Sequence, residues 1–153
     1  LGNLIYQGMY MYKIGYTTGV FDLFHTGHLN ILKKAKAQCE TLIVGVSSDA
    51  LVLEYKRRAP IVILEQRIDI LRALRCVDKV VVQESIDKIK AWETYRFDVH
   101  FHGDDWKDSQ VYSDLVVKLE QRGVASVFFP YTEGTSTTSL KQKIYSVMGN
   151  AGD

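Results

Sequence analysis

Cysteine is nearly absent: Cys39 and Cys76 are the only two in 153 residues, far apart and each in a helix-patterned stretch. That excludes a disulfide framework and reads as two reduced packing residues. A surplus of charge is missing too, because 19 basic and 18 acidic side chains leave a formal charge of +1. That balance predicts no general surface for nucleic acid or a membrane, so any anion must be bound by local placement of charge. No apolar stretch is long enough to span a bilayer. The N-terminus also lacks a basic segment followed by an apolar one and a small-residue cleavage site. A soluble, unexported, cytoplasmic protein is the expectation. Methionine does not stand first, and Leu1 to Tyr10 has no clear period. Residues 1–11 are therefore read as an extension or cloning remnant before a natural start near Met9 or Met11, and residues 12–153 as one domain with one active site.

Short β-branched or aromatic runs alternate with amphipathic ones. The strand-like runs are Lys13 to Thr18, Thr41 to Ser47, Lys79 to Gln83, Asp98 to His102 and Ser126 to Pro130. The helix-like runs are Gly27 to Gln38, Leu64 to Leu74, Ile86 to Tyr95, Tyr112 to Gln121 and Thr138 to Val147. Such alternation predicts an α/β fold: a doubly wound, five-stranded parallel sheet with right-handed crossovers and helices on both faces. In these sheets ligands sit beyond the carboxyl ends of the strands, where strand order reverses.

The segment Gly19-Val20-Phe21-Asp22-Leu23-Phe24-His25-Thr26-Gly27-His28 joins the first strand to the first helix. There, free backbone N–H groups and the positive end of the helix dipole would face one spot, a cradle for phosphate. His25 and His28 would lie over that spot, and Gly27 would let a phosphate approach the backbone. A histidine at a helix start is ordinarily a capping or surface residue, and His-x-x-His can be half of a metal site. Neither accounts for the flanking glycines or for Phe21-Asp22. No Cys-rich or His-rich segment completes a zinc shell, since His100 and His102 alternate along a strand-like run. A polyphosphate site is the preferred reading. Later in the chain, the hydroxyl-rich run Thr132 to Thr138 with Gly134 at its centre offers a second anion site at a helix start. Capping of the last helix explains the same residues, and both can hold. The basic run Lys56-Arg57-Arg58-Ala59-Pro60 is either a solvated loop or a lid over phosphates.

Gly-x-Phe-Asp-x-x-His-x-Gly-His resembles the signature of the HxGH nucleotidyltransferase superfamily, which includes adenylyl- and cytidylyltransferases. Gly103-Asp104-Asp105-Trp106 and Thr132-Glu133-Gly134-Thr135-Ser136-Thr137-Thr138 follow in order. Together the three motifs make the stretch from about Lys13 to Ile144 resemble the bacterial glycerol-3-phosphate cytidylyltransferases, with their Rossmann-like fold. The resemblance implies transfer of CMP from CTP to a small phosphorylated alcohol, glycerol 3-phosphate first, giving a CDP-alcohol and pyrophosphate. It further implies Mg2+, called for by triphosphate chemistry and not by any ligand cluster, and a homodimer.

Carried onto this sequence, the resemblance makes His25, His28 and Arg58 the catalytic set. Val20, Phe21, Asp22, Gly27, Asp104, Tyr131, Thr132, Glu133, Gly134, Thr135, Ser136, Thr137 and Thr138 become nucleotide contacts. Lys56, Arg67, Lys88 and Trp106 fall to the substrate side, with Arg75 as the second helix arginine. Plainer readings stand beside several of these: core packing for Phe21 and Trp106, a turn for Asp104-Asp105, and a solvated helix face for Lys88. Surface ion pairing is the plainer reading of Arg67 and Arg75. The chain departs from the pattern at Tyr131, where the family usually carries arginine, and at Thr135, where it carries isoleucine. Loss of that guanidinium removes a bidentate phosphate ligand. Either another cation such as Arg57 or Arg58 replaces it, or the acceptor is a different phosphorylated alcohol. Adenylyl transfer and a degenerate nucleotide-binding domain are the alternatives.

Overall fold

The computed structural model describes residues 11–103 and 109–150. Five strands form one sheet: β1 (Tyr12–Gly19), β2 (Cys39–Ser47), β3 (Lys79–Gln83), β4 (Val99–Gly103) and β5 (Ala125–Phe129). Six helices accompany them among the described residues: α1 (Thr26–Lys36), α2 (Asp49–Lys56), α3 (Leu64–Arg72), α4 (Lys88–Tyr95), α5 (Gln110–Glu120) and α6 (Thr137–Asn150). The strands are all parallel in the order β3-β2-β1-β4-β5. The chain steps outward from β1 through β2 to β3, then returns to lay β4 on the other side of β1. Strand order therefore reverses beside β1, and the connections leaving β1 and β4 diverge there to open a crevice.

Side-chain alternation along β2 divides the core. Leu42, Val44 and Val46 face one layer with Leu32 and Ala35 of α1, Leu71 of α3, and Phe101 and Phe129. Ile43 faces the other layer with Tyr16, Phe97, Leu119 and Val124, covered by Ile89 and Trp92 of α4 and Leu115 of α5. Period-two alternation in a strand buried on both faces produces this division. The expected α/β architecture is the observed one. Both cysteines are free thiols, Cys39 in the core and Cys76 partly buried. No helix among the described residues is long and apolar enough to cross a membrane.

One helix exceeds the expectation. No helix stands among the runs expected between Ser47 and Leu64, but α2 runs there for eight residues, with the Ser48 hydroxyl accepting the Leu51 amide at 3.1 Å. Arg57 ends it in the left-handed region at φ 61°. Eight residues give little more than two turns, too few for the apolar period to declare itself.

Candidate active site

The β1–α1 turn is bent more sharply than its sequence suggests, with Phe21 at φ 55° and Leu23 at φ 49°. Bulky residues rarely occupy the left-handed region, so packing must hold them there. The Phe21 ring is buried, 5.5 Å from the His28 ring and 6.5 Å from that of Phe24. It folds back over Gly19, where a Cβ would stand 3.1 Å from it. Glycine at position 19 lets the Phe21 ring sit this close, and the core-packing reading of that ring holds while the residue also faces the cavity described below.

His25 is the N-cap of α1. Its Nδ1 accepts the Gly27 amide at 3.1 Å, and Nδ1 of His28 accepts the His25 amide at 3.3 Å. Two imidazoles therefore cap one helix reciprocally, in the roles a serine and a glutamate usually play. A neutral ring that accepts at Nδ1 carries its proton on Nε2, so each ring offers a donor on the far side from the helix backbone. For His25 the direction is visible. Nε2 lies 3.3 Å from Thr137 Oγ1, and that hydroxyl donates to the Asp22 carbonyl at 3.1 Å, which leaves it a lone pair for the imidazole N–H. The rings stack at 3.8 Å between centroids. Burial pushes His25 below its ordinary value; burial, with His25 beside it, pushes His28 down to about 4. Both rings are neutral at neutral pH. Gly27 has a structural reason beside the expected one: a Cβ there would meet the His25 ring at 2.8 Å.

Asp22 does not orient either histidine. Its carboxylate accepts the amides of Ile61 at Oδ2 and Val62 at Oδ1, each at 2.9 Å, and pairs with Lys141 at 3.2 Å. Burial alone would raise this carboxyl, but the two amides and the ammonium hold it below its ordinary value. One buried carboxylate thereby docks the loop between α2 and α3, which carries Arg58, onto the β1 turn.

Arg67 completes that dock from beneath. Its guanidinium is fully buried and donates to the carbonyls of Val20 at 2.6 Å, Ser47 at 2.9 Å and Val62 at 2.8 Å, and it pairs with Asp49. Carbonyls left over at the ends of β1 and β2 explain why arginine stands here, since its planar fork can serve several acceptors at once. The expected substrate contact is corrected to one of positioning: Arg67 does not line the cavity.

A cavity of about 720 Å³ opens over the carboxyl ends of β1 and β4. Val20, Phe21, Asp22, His25, Gly27 and His28 line it from the β1 turn and the start of α1, Lys56 from the end of α2, Arg58 from the loop after it, and Tyr131, Thr132, Gly134, Thr135, Ser136, Thr137 and Thr138 from the segment leading into α6. The cavity volume suits a small ligand. Asn30 ties the late segment to α1 through Thr132 at 3.3 Å, and the Ser136 and Ser139 amides each donate to the other's hydroxyl at the start of α6, so capping and cavity lining coexist there. Lys88 and Glu133 do not line the cavity. Lys88 lies instead near His100 and His102, and burial pushes its ammonium down to about 8. Arg75 is exposed. Asp104 and Trp106 fall outside the described residues. Lys141 was missed: nothing in the α6 pattern distinguishes it from Lys143, and only the docking of that helix start on the β1 turn brings it into the cavity wall.

A parallel sheet whose strand order reverses beside such a histidine-capped turn defines a Rossmann-like protein of nucleotidyltransferase type. The chain belongs to the cytidylyltransferase-like family, whose sequence model matches residues 16–143. It is 37% identical over 130 residues to the bifunctional protein HldE of Hyphomonas neptunium, covering 84% of this chain and 26% of that protein. It is likewise 37% identical over 133 residues to HldE of Helicobacter pylori strain 26695, covering 86% of this chain and 28% of that protein. The chain thus spans about a quarter of the length of these curated relatives. Its fold is shared with the lipopolysaccharide core biosynthesis protein of Thermoplasma volcanium, at a TM-score of 0.67 and 24% identity, over 81% of this chain and 99% of that one.

Two predictions follow from this geometry. Arg67→Lys keeps the charge but loses the fork, and should lower unfolding free energy by about 3 kcal/mol, as breaking a buried, hydrogen-bonded charge does. An unfolding free energy from urea titration within about 0.5 kcal/mol of wild type would remove Arg67 from the dock. The second concerns pH. Both imidazoles titrate below their ordinary value of about 6.5, so at falling pH the unfolded chain takes up protons that the folded one refuses. Melting temperature should therefore fall from that value down toward the His28 value of about 4. Inorganic pyrophosphate should oppose the fall by favouring the protonated rings, so its stabilisation should be larger at about pH 5.5 than at neutrality. Equal stabilisation at both would contradict the neutral state assigned to the free site.

Proposed function

We propose that this chain transfers a nucleotidyl group from a nucleoside triphosphate, CTP in the first instance, to the phosphate of a small phosphorylated alcohol. The observation that carries the reading is the reciprocal cap: both imidazoles spend Nδ1 on the backbone, which points Nε2–H outward, His28 toward the cavity and His25 onto the Thr137 hydroxyl of the cavity wall, where a ligand oxygen can take its place. An acceptor phosphate oxygen attacks the α-phosphorus, a new P–O bond forms, and the bond to the β-phosphate oxygen breaks to release pyrophosphate. No protein nucleophile is needed, because a phosphate monoester is already an anion at neutral pH. Catalysis is then positioning together with neutralisation of charge on the equatorial and leaving oxygens. His25 and His28 donate to those oxygens, the start of α6 receives the outer phosphates, and Arg58 and Lys56 close over them from the loop that Asp22 docks.

Among the described residues no group of three His, Cys, Asp or Glu side chains could hold a metal ion, and both Asp22 oxygens are engaged. Magnesium is proposed only as an ion carried by the triphosphate, and no step above depends on it. Glycerol 3-phosphate is the first acceptor to test. Tyr131, half exposed on the cavity wall, supplies no charge and places other polyol and sugar phosphates beside it. ATP belongs in the same panel, because base choice rests on a few backbone contacts.

Pyrophosphate release, measured across CTP, ATP and the other triphosphates with glycerol 3-phosphate, phosphocholine, phosphoethanolamine and sugar phosphates, tests the reading. His25→Asn and His28→Asn keep an acceptor where Nδ1 stands but remove the Nε2 donor. Each should lower turnover about a hundredfold or more while leaving the melting temperature close to wild type. A folded variant with near-normal turnover would sink the assigned role, and release with no pair in the panel would leave a nucleotide-binding domain.

A further inference from the structure

We infer that His102, backed by His100, reads a hydroxyl of the acceptor substrate and so selects a hydroxyl-bearing phosphate against an amino-alcohol phosphate; the inference rests on the nucleotidyl-transfer reading above. These two imidazoles of β4 take no part in the cap of α1. β1 and β4 pair with Tyr16 opposite His100, so two residues further on Thr18 and His102 stand side by side on one face of the sheet. Thr18 and Gly103 both belong to the cavity wall. His102 is thus flanked by wall residues along its own strand and across on β1. The triphosphate is assigned to the β1 turn and the start of α6, which leaves this side of the crevice to the acceptor.

The polar atoms of this pair are unspent. Among the described residues neither ring nitrogen of His100 has a hydrogen-bond partner, nor has Nε2 of His102, although all three atoms are buried and His100 is only 1% exposed. Buried polar groups are ordinarily paired, and an unpaired one costs stability. Packing alone gives no reason for imidazoles here. His102 stacks on Phe128 at 5.4 Å and meets Tyr112 edge-on at 4.5 Å, and His100 stacks on Tyr16 at 5.8 Å, so phenylalanine would fill this layer without that cost. Nε2 of His102 is buried while the residue stays partly exposed, which leaves the Nδ1 side of the ring as the accessible one. Burial, with the Lys88 ammonium beside them, pushes both rings down, His102 to about 3, so both are neutral. A neutral imidazole offers one donor and one acceptor. A hydroxyl matches that pair, whereas a phosphate only accepts and an ammonium only donates. Lys88, pushed down to about 8, still carries its charge at neutral pH and repels an amine from the same place. Glycerol 3-phosphate and sugar phosphates therefore fit, and phosphoethanolamine and phosphocholine do not.

Steady-state pyrophosphate release by the full chain tests this, with CTP and ATP as donors and with glycerol 3-phosphate, glucose 1-phosphate, phosphoethanolamine and phosphocholine as acceptors. Wild type is compared with His102→Phe, His102→Asn and Lys88→Met. Phenylalanine keeps the ring without its nitrogens, and asparagine keeps a polar atom near Nδ1. Melting curves establish folding, and His102→Leu takes the place of His102→Phe if the latter is unfolded. Wild type should prefer the hydroxylated acceptors to the amino-alcohol ones. His102→Phe should raise the KM of the preferred acceptor roughly ten- to a hundredfold, as loss of a hydrogen bond to a substrate hydroxyl does, with the KM of the triphosphate unchanged. His102→Asn should recover most of that loss, and Lys88→Met should narrow the preference against phosphoethanolamine by about tenfold. A wild type that prefers an amino-alcohol phosphate would overturn the inference. So would an unchanged acceptor KM in folded His102→Phe, an equal rise in the KM of acceptor and triphosphate, His102→Asn as poor as His102→Phe, or an unmoved preference in Lys88→Met. No release with any pair would bring down the nucleotidyl-transfer reading and this inference with it, a result distinct from any difference between variants.

Discussion

The reciprocal cap at the start of α1 is the interaction on which the rest of the site depends. A helix begins with amides that lack intrahelical partners, and here the acceptors are imidazole nitrogens. Satisfying the helix therefore fixes ring orientation, tautomer and stacking together. A serine and glutamate pair would cap as well and leave no donor on the outer side. The cap is thus both a folding device and the means by which the Nε2–H groups are oriented, that of His25 resting on the Thr137 hydroxyl until a ligand oxygen replaces it.

Two buried charges extend that order outward. Asp22 collects two loop amides and Arg67 collects three carbonyls from the β1 turn, the end of β2 and the same loop. Strand ends and a loop that would otherwise be independent become one unit, and the unit surrounds the crevice where strand order reverses. Polar groups left over by the sheet are satisfied by side chains that also shape the cavity wall. Strain at Phe21 and Leu23 is held in the same place, where the buried Phe21 ring packs beside Phe24 and His28.

Much of this was legible in the sequence. The run Lys79 to Gln83 coincides with β3, and the other strands differ from their runs by a residue or two at the ends, because period-two apolar patterning survives in short segments. The histidine pair was legible through spacing, and the hydroxyl run through its place before a helix. What failed depended on the third dimension. Arg67 reads as a helix-face cation until the leftover carbonyls of β1 and β2 are brought over it. Lys88 sits at a suitable distance along the chain, yet it lies near His100 and His102 and not on the cavity wall. Lys141 and Lys143 are alike in the pattern of α6, and only the helix start docked on the β1 turn separates them. Gly27 lines the cavity as expected of it, and only the folded turn shows its second reason, the His25 ring that a Cβ would meet at 2.8 Å.

The claim that His25 and His28 accept at Nδ1 and present Nε2–H can be read directly from nitrogen-15 resonances and two-bond couplings of the labelled imidazoles. Both rings should appear at neutral pH as neutral Nε2–H tautomers in the free protein, and both Nε2 signals should move when a non-hydrolysable CTP or ATP analogue binds. Protons found on Nδ1, imidazolium rings in the free protein, or Nε2 signals indifferent to the nucleotide would contradict it.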